Sequence, residues 1–149
     1  MLETGVKIGQ RYEIIGRIGS GGMADVYKAM DAKLNRLVAV KVLRQEFRID
    51  KTFVSKFQKE AQAAAGLSHP NIVNVFDVGE DVNANFIVME LVEGITLKDY
   101  ITRKKRLSVK EATSIAIQVS LGLEAAHQSG IVHRDVKPQN IMISTDGKV

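Results

Sequence analysis

A lysine stands inside the most strongly strand-forming stretch of this chain. Val38-Ala39-Val40-Lys41-Val42-Leu43 is apolar and β-branched, the composition of a buried strand, and strand alternation puts Lys41 on the same face as Leu37, Ala39 and Leu43. A second charge is similarly placed on the helix expected next. Glu60 lies seven residues after Phe53, three after Phe57 and four before Ala64, on the apolar stripe. An unpaired buried ion costs several kcal/mol even after relaxation, so each charge needs a partner or a wet cleft. Either one alone is accommodated by snorkelling to solvent. With a glycine cluster just upstream, a mutual Lys41–Glu60 ion pair at a ligand site is the better reading.

Strands are predicted over residues 12–18, 24–30, 37–43, 72–78 and 85–91, with polar connections over 31–36 and 79–84. Between them the period changes. From about residue 52 to 67, Phe53, Phe57, Ala64 and Leu67 share one helical face, and Gly66 with Ser68-His69-Pro70-Asn71 ends the helix. After Glu93-Gly94 the pattern is helical, with a short helix over 97–102. Ser108-Val109-Lys110-Glu111 then predicts a capping box, serine and glutamate satisfying each other's backbone donors. The long helix it opens carries Ala112, Ile115, Ala116, Val119, Leu123 and Ala126 as its buried stripe and stops at Gly130. Strands with one inserted helix, then helices, define an α+β fold in two lobes, 1–92 and 93–149.

At 45% hydrophobic and 26% charged residues, the 149-residue chain can build a core and is not of disordered composition. No apolar run reaches 18 residues, so no membrane-spanning segment is expected, and the first ten residues lack the layout of a secretory signal. Cysteine is absent, which excludes disulfides and thiolate metal sites and is compatible with the cytoplasm. His69, His127 and His133 lack metal-ligand spacing; His69 is expected to brace the loop after the first helix and His133 the loop that carries Asp135. A net charge of +4 is too small to imply nucleic acid. The cations at 103–106 read as a solvated link between two helices, with an anionic partner as the alternative.

Two loops carry chemistry. Ile18-Gly19-Ser20-Gly21-Gly22-Met23-Ala24-Asp25-Val26 lies between two strands, where glycines let backbone N–H groups approach phosphates. It is neither a dinucleotide fingerprint, whose glycines open a helix, nor a Walker A loop, which needs a following Lys-Ser or Lys-Thr. The second is His133-Arg134-Asp135-Val136-Lys137-Pro138-Gln139-Asn140. Asp135 can accept the proton of an attacking hydroxyl, Lys137 can offset charge on a transferring phosphoryl group, and Asn140 can bind Mg²⁺.

Together these segments resemble the protein-kinase signature set. Gly19-x-Gly21 with Val26 is similar to the glycine-rich loop, Val38-Ala39-Val40-Lys41 to the strand lysine motif, and Glu60 to its helical partner. Met89-Glu90-Leu91-Val92 is similar to the hinge, with Met89 as gatekeeper, and Lys137-Pro138 is the serine/threonine-type variant. The glycine loop and the stretch 57–73 are further similar to bacterial kinases with extracellular PASTA repeats, whose parents usually carry one membrane anchor beyond the kinase domain. The resemblance implies ATP and Mg²⁺ as cofactors and protein serine or threonine hydroxyls as substrates. ATP would lie against Ile18, Gly19, Ser20, Gly21, Gly22, Val26, Ala39, Lys41, Met89, Glu90 and Val92. Lys41, Glu60, Asp135 and Lys137 would be catalytic, and Asn140 the metal ligand. Arg134 would mark control by activation-loop phosphorylation.

Two features depart from the pattern. Ala24 replaces the third glycine, which is tolerated if its φ is negative. Asp146-Gly147 predicts a hairpin turn with only two residues after it, leaving an open edge at 141–144. The Asp-Phe-Gly segment that would follow in the family is not in these 149 residues, so the chain is expected to be an N-terminal kinase fragment, inactive alone and prone to self-association. The alternative from another class is a non-catalytic nucleotide- or partner-binding regulatory module. A small-molecule phosphotransferase fits Lys137-Pro138 and the glycine loop less well.

Overall fold

The computed structural model describes residues 1–82 and 84–149; Asn83, in the connection expected over 79–84, lies outside the described residues. The strands are β1 (Lys7–Ile8), β2 (Tyr12–Gly21), β3 (Ala24–Asp31), β4 (Arg36–Leu43), β5 (Val75–Glu80), β6 (Asn85–Met89), β7 (Gly94–Thr96) and β8 (Met142–Ser144). The helices are α1 (Gln45–Arg48), α2 (Lys51–Ala65), α3 (Leu97–Lys104) and α4 (Val109–Gln128), with a 3₁₀ turn at Pro138–Asn140. They form two compact units, one of Met1–Gly66 with Asn74–Leu91, the other of Leu67–Val73 with Val92–Val149.

The first unit is an antiparallel sheet in the order β1-β2-β3-β4-β6-β5. Alternation sorts its side chains into two cores. On one face Ile8, Tyr12, Ile14, Tyr27, Val38, Val40 and Val88 pack together; on the other Ala24, Leu43 and Ile87 meet Phe57 and Ala61 of α2. Asp50 caps α2, its carboxylate accepting from Thr52 N at 2.8 Å. Phe57 and Ala61 are the buried positions of α2, whereas Phe53 of the expected stripe is 37% exposed. The predicted strand over 72–78 begins three residues later, at Val75, because 67–73 belongs to the second unit.

One buried carboxylate organises the turn after β3. Asp31 accepts from Arg11 Nε and Nη2, both at 2.8 Å, and from the backbone N–H groups of Lys33 and Leu34. The Arg11 guanidinium outweighs the cost of burial and, with those N–H groups, holds the Asp31 pKa down to about 2. Because the folded value lies below the ordinary one, this contribution is full above about pH 4 and is lost as pH falls toward 2. Asp31→Asn should cost about 2 kcal/mol at neutral pH and flatten the fall in stability between pH 4 and pH 2. Denaturant titrations across that window check both effects.

In the second unit β7 pairs antiparallel with β8, Gly94 opposite Ser144 and Thr96 opposite Met142. The open edge expected at 141–144 is covered only in part: β7 pairs along one side, and on the other the return after the turn supplies one bond, Ser144 N donating to Lys148 O at 2.8 Å. The turn at Asp146-Gly147 does form, with Gly147 at φ 84°. β7 is possible because residue 94 is a glycine: a Cβ there would sit 1.9 Å from Ile143 O.

The long helix also differs from expectation. Ile115 and Ala126 are buried as predicted, but Ala112 and Ala116 are exposed, and the third buried position is Gly122. Residues 67–73 cross the helix there, where a Cβ on Gly122 would meet Asn71 O at 2.6 Å. That contact turns the inward face toward 115, 122 and 126 and leaves the 112/116 side to solvent. The capping box is half formed. Ser108 Oγ accepts from Glu111 N at 3.1 Å, while the Glu111 carboxylate turns away to Lys104 Nζ, 3.1 Å from both oxygens, and to the Tyr100 hydroxyl. Arg103 and Lys104 occupy the last turn of α3, where cations suit the helix dipole.

Candidate nucleotide and phosphoryl-transfer site

The expected site residues fall into two sets, one on each unit. In the first, β2 and β3 close around Gly21 opposite Ala24, with Gly22 and Met23 at the tip. Among the described residues a Cβ on Gly21 or Gly22 would meet nothing within 4 Å, so this backbone is open to a phosphate. Ala24 stays out of the left-handed region, and its buried methyl contributes to the core with Leu43 and Phe57.

Strand register then fixes which side chains share a face. Gly19 pairs with Val26, Val26 with Lys41 and Lys41 with Ile87, forming one row across four strands. In the next row on the same face, Lys28 pairs with Ala39 and Ala39 with Met89. Val26, Ala39, Lys41 and Met89 thus lie side by side behind the glycine hairpin. Ile18 is 53% exposed at its edge. Glu90 is fixed by its neighbour: its N–H donates to Asn74 O at 2.8 Å and its carboxylate accepts from Asn74 N at 3.2 Å. Val92 belongs to the second unit.

The expected Lys41–Glu60 ion pair is not formed; among the described residues both side chains are exposed and no ion pair joins them. Periodicity identified Lys41's face but not how far that face is covered. α2 covers it at the Leu43 end, through Phe57 and Ala61, and Glu60 lies on the flank of the helix rather than on its buried stripe. Both charges remain in water and need no partner, which removes the desolvation cost.

The second set is tightly assembled. Asn140 Nδ2 donates to Asp135 O at 2.9 Å and to Asp135 Oδ2 at 3.2 Å, and Lys137 Nζ lies 3.3 Å from the same Oδ2. His133 Nδ1 accepts from Asp135 N at 3.1 Å, and His69 Nδ1 accepts from Asn71 N at 3.0 Å, so each braces its own loop as expected. Arg134, at φ 68°, bends the chain so that the loop folds back on itself. Pro138 opens the 3₁₀ turn that swings Asn140 toward Asp135. Asp135 is thereby exposed, charge-paired and held through its backbone, as a proton acceptor reached by an external hydroxyl must be.

Sequence reading missed the Arg44 side chain, which donates to Ser20 Oγ at 2.6 Å and lies 3.4 Å from Asp25 Oδ1. No periodic signal marks it, since it follows the last strand residue.

The chain matches the protein kinase domain family over residues 12–149. It is 55% identical to a probable serine/threonine-protein kinase of Clostridium perfringens over 142 residues, 95% of this chain and 21% of that protein. It is 49% identical to the serine/threonine-protein kinase PrkC of Bacillus subtilis over 145 residues, 97% of this chain and 22% of that one. Among solved structures, the PknI kinase domain of Mycobacterium tuberculosis superimposes with a TM-score of 0.87 at 32% identity, over 99% of this chain and 60% of that domain. The chain belongs to the protein kinase domain family. It spans about a fifth of the length of these curated relatives.

Proposed function

We propose that this chain is the nucleotide-binding and catalytic-loop portion of a serine/threonine protein kinase that transfers the γ-phosphoryl group of ATP to protein hydroxyls. The observation that carries the reading is the Asp135–Lys137–Asn140 cluster, in which an ammonium and a carboxamide converge on one carboxylate oxygen. In this reading the glycine hairpin holds the ATP phosphates, and Val26, Ala39 and Met89 form the apolar bed of the adenine, with Glu90 offering its backbone carbonyl beside it. Lys41 would pair with phosphate oxygens without help from Glu60, which does not reach it, Asp135 would take the hydroxyl proton, and Lys137 would offset phosphoryl charge.

Among the described residues no group of three or more metal-ligating acidic, His or Cys side chains exists. The fit to Mg²⁺ is therefore that of one protein ligand, the Asn140 carboxamide oxygen, whose amide nitrogen is already committed to Asp135. That suits an ion that takes few protein ligands and completes its shell with water and phosphate oxygens. Bound there, Mg²⁺ would neutralise charge on the phosphates. The assembled cluster supports catalysis over a purely regulatory module.

Among the described residues no helix is long and apolar enough to cross a membrane, and dependence on ATP favours a cytoplasmic location. Ile117 and Leu121, 55% and 44% exposed on α4, support self-association of the 149-residue chain. The function is tested by incubating the intact protein with γ-labelled ATP, Mg²⁺ and a generic protein substrate. Label on serine or threonine is expected; label confined to small molecules would overturn the reading.

A further inference from the structure

The glycine hairpin is held from behind by a side chain outside the expected site. Arg44 follows β4 immediately and grips the hairpin twice. Its backbone N–H donates to Met23 O at 2.8 Å, and its Nη2 donates to Ser20 Oγ at 2.6 Å and lies 3.4 Å from Asp25 Oδ1. Ser20 Oγ in turn donates to Asp25 Oδ1 at 2.9 Å. The Asp25 side chain is only 15% exposed and that of Arg44 33%, so the pair is partly withdrawn from solvent.

The face on which this cluster lies decides what it can do. Ser20 pairs with Asp25 and Asp25 with Val42, one row along from Gly19–Val26–Lys41. Adjacent rows of a pleated sheet point to opposite faces, and Val42 belongs to the core formed with Val38 and Val40. The tether is thus on the far side of the hairpin from Lys41. A nucleotide bound on the Lys41 face is out of its reach, and the Ser20 hydroxyl is already engaged with Arg44 and Asp25.

We propose that Arg44, through Ser20 and Asp25, is a positioning residue that holds the phosphate-binding hairpin in its nucleotide-ready shape before nucleotide arrives. A hairpin rich in glycine loses more freedom on ordering than other backbone, and ordering it in advance removes that cost from binding. The inference rests on the nucleotide reading of the hairpin.

The experiment compares the wild-type chain with Arg44→Ala, Arg44→Lys and Asp25→Asn in two measurements: amide hydrogen exchange over residues 19–26 without nucleotide, and the Kd for Mg-ADP. Arg44→Ala is expected to speed exchange in the hairpin and weaken ADP binding about five- to tenfold. Arg44→Lys should recover part of both losses. Asp25→Asn should weaken binding by a smaller factor, and the double variant Arg44→Ala/Asp25→Asn should be no worse than Arg44→Ala alone, because both act through one network. Unchanged ADP affinity in Arg44→Ala, with the wild type binding normally, overturns the positioning role alone. A wild-type chain that does not bind ADP overturns the nucleotide reading and the positioning role with it. Loss of affinity together with faster exchange throughout the sheet also overturns the role, since Arg44 would then serve general stability.

Discussion

Asp135→Asn is expected to slow protein phosphorylation by the intact kinase about a thousandfold, within the range that a positioned general base contributes. The substitution keeps the shape of the side chain, and its carbonyl oxygen can still accept from Asn140 Nδ2. It removes the proton acceptor and the charge that Lys137 Nζ faces at 3.3 Å. Because the Asp135 backbone stays fixed by His133 and Asn140, the loop should keep its fold. ADP affinity should change by less than about twofold, since the loss falls on the transition state and not on nucleotide binding. Steady-state kinetics with saturating ATP, beside an ADP titration, separate the two quantities. A fall in rate below tenfold would remove Asp135 from the role of base.

The largest structural effect is expected from a single methyl group in the second unit. Gly94→Ala would place a Cβ 1.9 Å from Ile143 O and 2.8 Å from Ser144 Cα. All the atoms it meets are backbone, so no side chain can swing away. β7 and β8 must separate, losing their three-residue ladder and straining the bond from Thr145 N to Glu93 O. A cost of about 3 kcal/mol, the upper end for overpacking, is the expected result. Gly16→Ala is the control: nothing among the described residues lies within 4 Å of its added Cβ, and its cost should stay within about 0.5 kcal/mol. Denaturant midpoints of the two variants check the contrast. Equal stability would mean that the β7–β8 approach is not as close as described.

What was legible in the sequence was whatever repeats locally. β4 follows its continuous apolar, β-branched run, α2 and α4 the helical character of their segments, and the Asp135 loop its own order of residues. What escaped were features created by segments distant in sequence. β7 has three residues, too few for a pattern, and exists through its partner 48 residues on, Ile95 opposite Ile143. Gly122 reads as a helix weakness until Asn71 O is seen against it. Asp31 reads as a turn residue, and only the fold brings Arg11 to it. The Lys41–Glu60 pairing failed for a related reason: periodicity assigns a residue to a face, while the extent of cover on that face is a tertiary property. The Asp135 cluster was legible because its three members lie within six residues of one another.

Gly19, Val26, Ala39, Lys41 and Met89, neighbours in two rows of the sheet, are proposed to make one nucleotide-binding face. Backbone chemical-shift mapping of the 149-residue chain during titration with Mg-ADP tests it most directly. Saturable shifts centred on residues 18–26, 39–41 and 89–92, and abolished by Lys41→Met, are the predicted result. Saturable shifts centred on other surfaces, or none at millimolar ADP in a folded chain, would contradict it.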